Sequence, residues 1–432
     1  MLADDLIVGL DIGTTKVCVV AGSVRENNTL NIVGVGSTSS GDGVRKGTII
    51  DIDKTVQAIS EVVAGAENSG DLSVSRVYVG IAGAHIFSMN SHGIVAIKGN
   101  SREICNEDVD RAVENAKTAI TIPSHQEIIH ILPREFVVDE QKEINNPIGM
   151  VGSRLEAQVH IVAGAVTAMQ NIMKCCEMAK LKVEEIVLQP YASSMAVLTE
   201  DEKKLGVALI DVGGGTTDLI IFQNGHVIHS YSNPIGGQHV TNDIAIGLKT
   251  STHAAESLKI RFGVALSSMV DQTAQIEVPV AGGEKNRSYP QKVLTEIIEP
   301  RMEEMFNDIK EQIVKHVSPD MIPAGVVLTG GTSLMNGCPE LAEEILGLPV
   351  RRGYPLFVTG LKEKVNSPVF ATSLGLIRYG ALNYRTQVPE DGLVNGMMGR
   401  FRGFVRSFFS GTERNFMPEW AVRYKEASGV GF

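Results

Sequence analysis

Cysteine is scarce in this chain of 432 residues: Cys18, Cys105, Cys175, Cys176 and Cys338 are the only five, an odd number, scattered, with no CxxC pair. That excludes a disulfide framework and argues against a zinc site, and it fits a reducing cytoplasm. Basic charge is also short. Lysine and arginine number 39 against 50 aspartates and glutamates, a net charge of −11, which argues against general nucleic-acid binding. No apolar run reaches the roughly 20 residues that cross a bilayer, so any membrane contact is expected to be peripheral. No basic stretch precedes an apolar signal core either; the first residues carry Asp4 and Asp5 and lead at once into a strand pattern, and no export signal is expected. What is present is the make-up of a soluble globular protein, 43% hydrophobic and 21% charged, with length for two large domains or one bilobed unit.

The stretch Val207 to Phe222, VALIDVGGGTTDLIIF, organises the rest. An apolar β-type run ends at Asp211, then come Gly213, Gly214, Gly215, Thr216, Thr217 and Asp218, and a second β-type run returns. This spacing predicts a strand, a tight glycine turn and a strand. Glycines there let backbone N–H groups approach an anion, and Asp211 is placed to orient magnesium through its waters. A plain β-turn would account for one such hairpin. A second copy, LIVGLDIGTTKVCVVAG from Leu6 to Gly22, repeats the order Asp11, Gly13, Thr14, Thr15, with Lys16 where the later copy has Asp218. Two phosphate hairpins suggest two similar halves around one nucleotide.

Residues 6 to 37 read as an antiparallel meander, Lys54 to Ala66 as an amphipathic helix and Val74 to Ala82 as a buried strand. Residues 84–162 read as an inserted α/β subdomain: a polar strand-like run, a helix over Asn106 to Ile120 capped by Asn106, and strands over Glu127 to Asp139 and Leu155 to Val162. A helix over Thr167 to Ala179, a strand over Val183 to Gln189 and a helix from Tyr191 to Leu198 follow, with Pro190 at the junction. TEDEKK, 199 to 204, reads as a charged loop. Gly236 and Gly237 fall at a helix N-terminus, a favourable place for phosphate. On the next helix Glu256 and Lys259, three apart, share a face, either as a solvated ion pair or as a pair meeting a ribose or adenine edge. A long helix over about 291 to 317 contains Pro300, expected to kink or step it. AGVVLTGGTSLMNG supplies Gly330, Gly331 and Ser333 after a strand, and Pro368 to Tyr384 reads as a closely packed helix.

In order, DIGTTK, LQPYASSMAVL, LIDVGGGTTDLIIF, LTGGTSLMNG and PVFATSLGLIRYG resemble the actin, hexokinase and heat-shock-chaperone ATPase superfamily: two phosphate loops, two connecting helices and one adenosine loop, over about residues 6 to 384. Within it GIAGAHIFSMNSHGIV, HIVAG, QPYASSMAVLTEDEKKLGVALIDVGGGTTD and IIEPRMEEMF are similar to the FtsA family. The resemblance implies a two-lobed α/β, ribonuclease-H-like ATPase fold. Subdomain 1A would cover 1–83, 163–197 and 366–384, the family's inserted subdomain 1C 84–162, subdomain 2A 198–232 and 316–365, and subdomain 2B 233–315. A linker would follow over 385–395, then a membrane-targeting amphipathic helix over 396–411 and a tail without assigned role over 412–432. It also implies ATP with magnesium as ligands and an actin-like filament. The partners it implies are the FtsZ C-terminal tail, further copies of the chain, anionic lipids and other division proteins, at the cytoplasmic face of the inner membrane where the septum forms.

Residue by residue, the resemblance places Asp11 and Asp211 on magnesium, Gly13, Thr14, Thr15 and Lys16 in the first phosphate loop, and Gly213, Gly214, Gly215, Thr216 and Thr217 in the second. Glu256 and Lys259 match nucleoside contacts, and Gly330, Gly331 and Ser333 the adenosine loop. Gln189 stands where some superfamily members place a carboxylate that positions the attacking water; an amide orients water but is a poor base, so slow hydrolysis is expected. The FtsZ contact would fall near Arg301 and Asn307, with an internal pair between Arg301 and Glu303 or Glu304 as the alternative.

In GMMGRFRGFVRSFFSG, Met397, Met398, Phe401, Phe404, Val405, Phe408 and Phe409 fall on one helical arc of about 140°. Arg400, Arg402 and Arg406 flank it, which suits an anionic membrane interface; packing on the body or on a partner is the alternative. A carbohydrate kinase of the same superfamily is the competing function, but it needs a carboxylate base and a sugar-binding insertion, and 84–162 offers no convincing candidate. A chaperone-type ATPase would need a substrate-binding domain after residue 384.

Overall fold

The computed structural model describes residues 6–25, 29–99, 101–279 and 286–386. Two sheets built on the same plan carry the molecule. The first has six strands in the order Lys182–Leu188, Arg76–Ile81, Ile7–Ile12, Lys16–Val24, Leu30–Ser39, Val358–Gly360. The second has five, in the order His226–Asn233, Thr217–Gln223, Val207–Val212, Val326–Thr329, Val350–Arg352. In each, an antiparallel three-strand meander is extended by parallel strands. The two hairpins share one register: Asp11 faces Cys18 and Ile12 faces Val17, as Asp211 faces Asp218 and Val212 faces Thr217. Every residue of IVGLDI and VALIDV is buried, because both faces of these strands are covered, and so they read as continuous apolar runs rather than alternating ones.

Helices cover the sheets through small residues. A Cβ at Gly36 would overlap the Val62 carbonyl, so the helix Ile52–Gly70 lies directly on the strand Leu30–Ser39. The two connecting helices, Gln189–Val197 and Ala371–Thr386, cross at Gly375, where a Cβ would overlap the Ala192 carbonyl. One apolar cluster runs from the first sheet (Val20, Leu30) through Leu374 and Ile377 to the second (Leu209, Ile220, Val327), so the two lobes share a core at their base.

The insertion has a core of its own. Its four strands lie in the order Phe87–Ala96, Arg154–Ala165, Gln126–Val138, Gln141–Ile144, with the helix Asn106–Thr118 against them around Val113, Phe136 and Leu155. A further subdomain sits on the second sheet, with the helices Gly237–Gly247, Thr252–Phe262 and Gln291–His316 and a two-stranded hairpin, Gln275–Val278 with Arg287–Pro290. The long helix is assigned without a break through Pro300.

Two local readings are corrected. The segment read as a charged loop is a helix, Glu200–Leu205. Thr199 Oγ1 accepts from the Glu202 N–H at 3.2 Å and Glu202 Oε2 accepts from the Thr199 N–H at 2.8 Å, a capping box that needs no apolar face. The cap of the helix Asn106–Thr118 is Cys105; Asn106 is already in the helix. All five cysteines are free thiols, and no described helix is long and apolar enough to cross a membrane. The proposed membrane residues, Met397 to Phe409, lie outside the described residues.

Candidate functional site

A cleft of about 410 Å³ opens where the two hairpin turns meet. Each turn is closed by its own backbone bond, Gly13 N–H to the Lys16 carbonyl and Gly213 N–H to the Thr216 carbonyl, both at 2.9 Å. Equal registers make equal turns, and they confront one another: a Cβ at Gly214 would strike the Thr15 side chain, and one at Gly215 the Thr14 hydroxyl. Glycine there lets hydroxyls from one lobe reach the backbone of the other.

Of the residues singled out from the sequence, Asp11, Gly13, Thr14, Thr15, Lys16, Gln189, Asp211, Gly213, Gly214, Gly215, Thr216, Glu256, Lys259, Gly330 and Gly331 all line this cleft. Lys16 Nζ donates to the Val369 carbonyl at 2.6 Å and sits 4.6 Å from the centre of the Phe370 ring. Lys259 Nζ donates to Glu256 Oε2 and Thr241 Oγ1, both at 2.8 Å, and to the Gly237 carbonyl at 3.0 Å. Burial pulls the Lys259 ammonium down from its ordinary range, partly offset by Glu256.

Four others stand behind the surface. Thr217 Oγ1 donates to the Ile235 carbonyl at 2.8 Å, and Ser333 Oγ to the Gly330 carbonyl at 2.7 Å. The helix start at Gly236 and Gly237 is used differently from the expectation of a phosphate seat. The Gly237 N–H donates to the Gly213 carbonyl at 3.0 Å, and the Gln238 N–H to the Gly214 carbonyl at 2.7 Å. These glycines brace the second hairpin, and Gly236 touches its backbone so closely that a Cβ would lie 2.8 Å from the Thr216 nitrogen.

Several site residues had no assigned role in the sequence. Ser193, one helical turn beyond Gln189, donates to Asp211 Oδ2 at 2.7 Å, and Thr372 Oγ1 lies 3.0 Å from Ser193 Oγ. Thr332 Oγ1 donates to the Gly213 carbonyl at 2.9 Å and ties the third glycine loop to the second hairpin. Asp218 accepts from Thr216 Oγ1 at 2.8 Å and from Ser232 Oγ. Gly330, at φ +84°, could carry no side chain, because a Cβ would meet Asp211 Oδ1 and the Val212 carbonyl.

The electrostatics of the cleft are those of crowded buried carboxylates. Burial raises Asp11, with Lys16 partly opposing. Burial pushes Asp211 up to about 6, eased by the Ser193 hydrogen bond and reinforced by the charge on Asp11. Burial pushes Asp218 up to about 7 against the Ser232 hydrogen bond. All-oxygen donors short of positive charge suit a hard divalent cation. Among the described residues no three His, Cys, Asp or Glu side chains converge on a point, so such an ion would take its remaining ligands from water and phosphate. Asp11 and Asp211 are the residues that would hold it.

Arg301 does not stand free on the long helix. Its Nε donates to Asp243 Oδ2 at 2.6 Å and its Nη2 to Asp243 Oδ1 at 3.2 Å, and its Nη1 pairs with Glu304. Asn307 is exposed on the same helix.

Comparison with known proteins agrees with this architecture. The family model described as cell division protein FtsA matches residues 208–375, and that of the SHS2 domain inserted in FTSA matches 83–163. The chain is 44% identical over 394 residues to the cell division protein FtsA of Pseudomonas aeruginosa, covering 91% of this chain and 92% of that protein. It is 37% identical over 420 residues to that of Escherichia coli K12, covering 94% and 98%. Among solved structures it is similar to a PilM–PilN type IV pilus biogenesis complex (TM-score 0.62, 17% identity, 87% of this chain and 98% of that one). It is also similar to MreB5 of Spiroplasma citri bound to ADP (TM-score 0.51, 14% identity, 86% and 95%). At these identities the structural likeness concerns the fold, which is that of the actin-like ATPases.

Proposed function

The chain belongs to the FtsA family of cell-division proteins, and on that premise we propose that it binds ATP with magnesium between its two lobes, assembles into an actin-like filament and tethers FtsZ polymers to the cytoplasmic membrane at the septum. The observation that carries the nucleotide part is the confrontation of the two hairpins, Thr14 and Thr15 against Gly214 and Gly215, with Asp11 and Asp211 at matching strand ends. ATP brings the phosphates around which the N–H groups and hydroxyls of both lobes converge. The chain's own residues then grip and orient: Lys16 supplies positive charge, Lys259 and Glu256 flank the nucleoside end, and Gln189 aligns a water. A neutral amide withdraws no proton, so hydrolysis is slow and ATP serves mainly as a filament ligand.

Asp211→Asn tests the clamp. Removing a charge that burial and, less, the neighbouring Asp11 disfavour should raise the melting temperature of the ligand-free protein while Mg-ATP no longer shifts it. An undiminished Mg-ATP shift would remove the assignment.

FtsZ recognition is assigned to the Arg301 and Asn307 face of the long helix, and membrane attachment to 396–411. One such segment would bind weakly and reversibly, and a filament of many through avidity. Phe404→Glu should release the full chain from anionic vesicles with ATP affinity unchanged. Cosedimentation equal to the parent would reassign the anchor.

A further inference from the structure

The family-typical insertion begins at Gly83, and the carboxylate of Asp218 lies two hydrogen bonds from it. The Gly83 N–H donates to Ser232 Oγ at 3.0 Å, and Ser232 Oγ donates to Asp218 Oδ1. The other oxygen, Oδ2, accepts from Thr216 Oγ1 of the second phosphate hairpin at 2.8 Å. Asp218 and Ser232 are both buried, and Asp218 faces Ser232 in the ladder between adjacent strands.

The same strand, His226–Asn233, receives the insertion at two further alternate positions. Ser88 Oγ donates to the Ser230 carbonyl at 2.7 Å, and His160 Nε2 lies 2.9 Å from Ser230 Oγ. Asn90 Nδ2 donates to the Ile228 carbonyl at 3.1 Å. The strand His226–Asn233 therefore pairs with the strand that carries the hairpin's acid and also receives the root of the insertion.

The polarity of this chain of bonds makes it sensitive at both ends. A serine or threonine hydroxyl has one proton to give. Thr216 gives its proton to Asp218. A phosphate oxygen in the cleft is a charged competitor for that proton, because Thr216 lines the cleft. Once Thr216 turns to phosphate, Asp218 Oδ2 has lost its donor, and the carboxylate must move toward whatever donors remain. Ser232 is one of them, and it cannot follow without disturbing its bond from the Gly83 N–H. Linked hydrogen bonds of this kind strengthen or weaken together.

We propose that Asp218 is a positioning residue shared by the nucleotide cleft and the inserted SHS2 domain: it fixes Thr216 and, through Ser232, the insertion's root at Gly83, so that phosphate in the cleft loosens the body's hold on that domain. This rests on the nucleotide reading above. It adds a route by which the presence of ATP reaches a domain that lines no part of the cleft.

Hydrogen exchange read by mass spectrometry tests it on the full chain, at a concentration where sedimentation detects no polymer, with equilibrium binding of a non-hydrolysable Mg-ATP analogue measured on the same sample. In the parent protein, saturating analogue should speed exchange over residues 83–96 by about fivefold or more, the low end of ordinary coupling factors. Ser232→Ala should show the faster exchange already without nucleotide and no further response, with analogue affinity within about threefold of the parent. Ser232→Thr, which keeps the hydroxyl, should restore the response; a merely structural role would not separate these two variants. A parent protein that binds the analogue with no change over 83–96, or Ser232→Ala that responds as the parent does, overturns the proposal and leaves the nucleotide reading standing. A parent that binds no analogue overturns both. Should Ser232→Ala not fold, the parent and Ser232→Thr decide by the same criterion.

Discussion

The side-chain amide of Gln189 donates to Asp11 Oδ1 at 3.1 Å, so a residue of the connecting helix is bonded to the acid of the first hairpin. The side chain rests on Gly80, where a Cβ would come within 2.9 Å of its Cγ. With its NH2 group turned to Asp11, Gln189 has its oxygen left to accept from a water, and it has no site to take a proton. Turnover should stay below about 1 per second, the bottom of the ordinary enzyme range. Gln189→Ala should slow single-turnover phosphate release by about tenfold or more and leave ATP affinity within about threefold. A variant as fast as the parent would show that Gln189 holds Asp11 and does nothing to water.

On the proposed assignment, Arg301 would meet an FtsZ tail only in competition with Asp243 and Glu304, which already engage its guanidinium. Its hydrogen bond to Asp243 is the main cause that raises it above its ordinary value. Deleting the competitor should therefore help the partner. Asp243→Ala should tighten binding of an FtsZ tail peptide by about twofold to fivefold, the scale of a partly exposed ion pair. Arg301→Glu should weaken it and also cost stability, since it sets like charges together. Calorimetric titration that finds Asp243→Ala unchanged and Arg301→Ala equal to the parent would move the peptide site elsewhere.

The parts legible in the sequence are those in which chemistry is local. DIGTTK and DVGGGTTD each specify a turn within a few residues, and their repetition exposes the two-lobed plan before any contact is known. The insertion announces itself by a change from apolar to polar strand texture near Gly83. What stayed hidden depends on partners far apart in the chain. Thr372 approaches Ser193 and Asp211 only because Gly375 lets two helices touch, and Thr332 reaches Gly213 across a loop. Gly236 and Gly237 carry a helix-start signal that is the same whether their N–H groups face phosphate or a neighbouring hairpin. The helix Glu200–Leu205 escaped because five charged residues and a single leucine have no apolar period, although Thr199 and Glu202 stand at capping-box spacing.

His130 makes a prediction about acid. Its Nε2 accepts from the Leu188 N–H at 2.9 Å, and its ring meets Tyr191 and Tyr379 edge to face at 5.5 and 5.8 Å. Burial pulls it down to about 3 from 6.5. Between those values the unfolded chain holds a proton that the folded one refuses, so stability is lost as pH falls from about 6.5 toward about 3, by up to about 1.4 kcal/mol per pH unit for such a group. Asp211 and Asp218 act in the opposite sense, because raised carboxyl values make the native state the better proton binder. Variant and parent must therefore be compared. His130→Gln, which keeps an acceptor for Leu188, should lose less stability than the parent between pH 7.5 and 5 in urea unfolding. Parallel losses would show that His130 carries none of the acid sensitivity.

Gly375 is where the two connecting helices touch, and the same two helices hold the acid of the second hairpin. Ser193 and Thr372, one from each, form the pocket of Asp211, at 2.7 and 3.5 Å from its Oδ2. A methyl group at 375 overlaps the Ala192 carbonyl, a backbone atom with no rotamer to yield, so the helices must part. Gly375→Ala gains helix propensity, about 1 kcal/mol in an open helix, yet overpacking of a close crossing costs about 1 to 3 kcal/mol. A net loss of stability is expected. Because the separation also splits Ser193 from Thr372, Mg-ATP affinity should fall by more than the loss of stability alone would cause. Gly225→Ala is the control: it sits at φ +86° in a turn with open space around it, so it should cost stability through backbone strain and leave affinity unchanged. If Gly375→Ala loses stability and keeps its affinity as Gly225→Ala does, the helix crossing supports the fold without setting the geometry of Asp211.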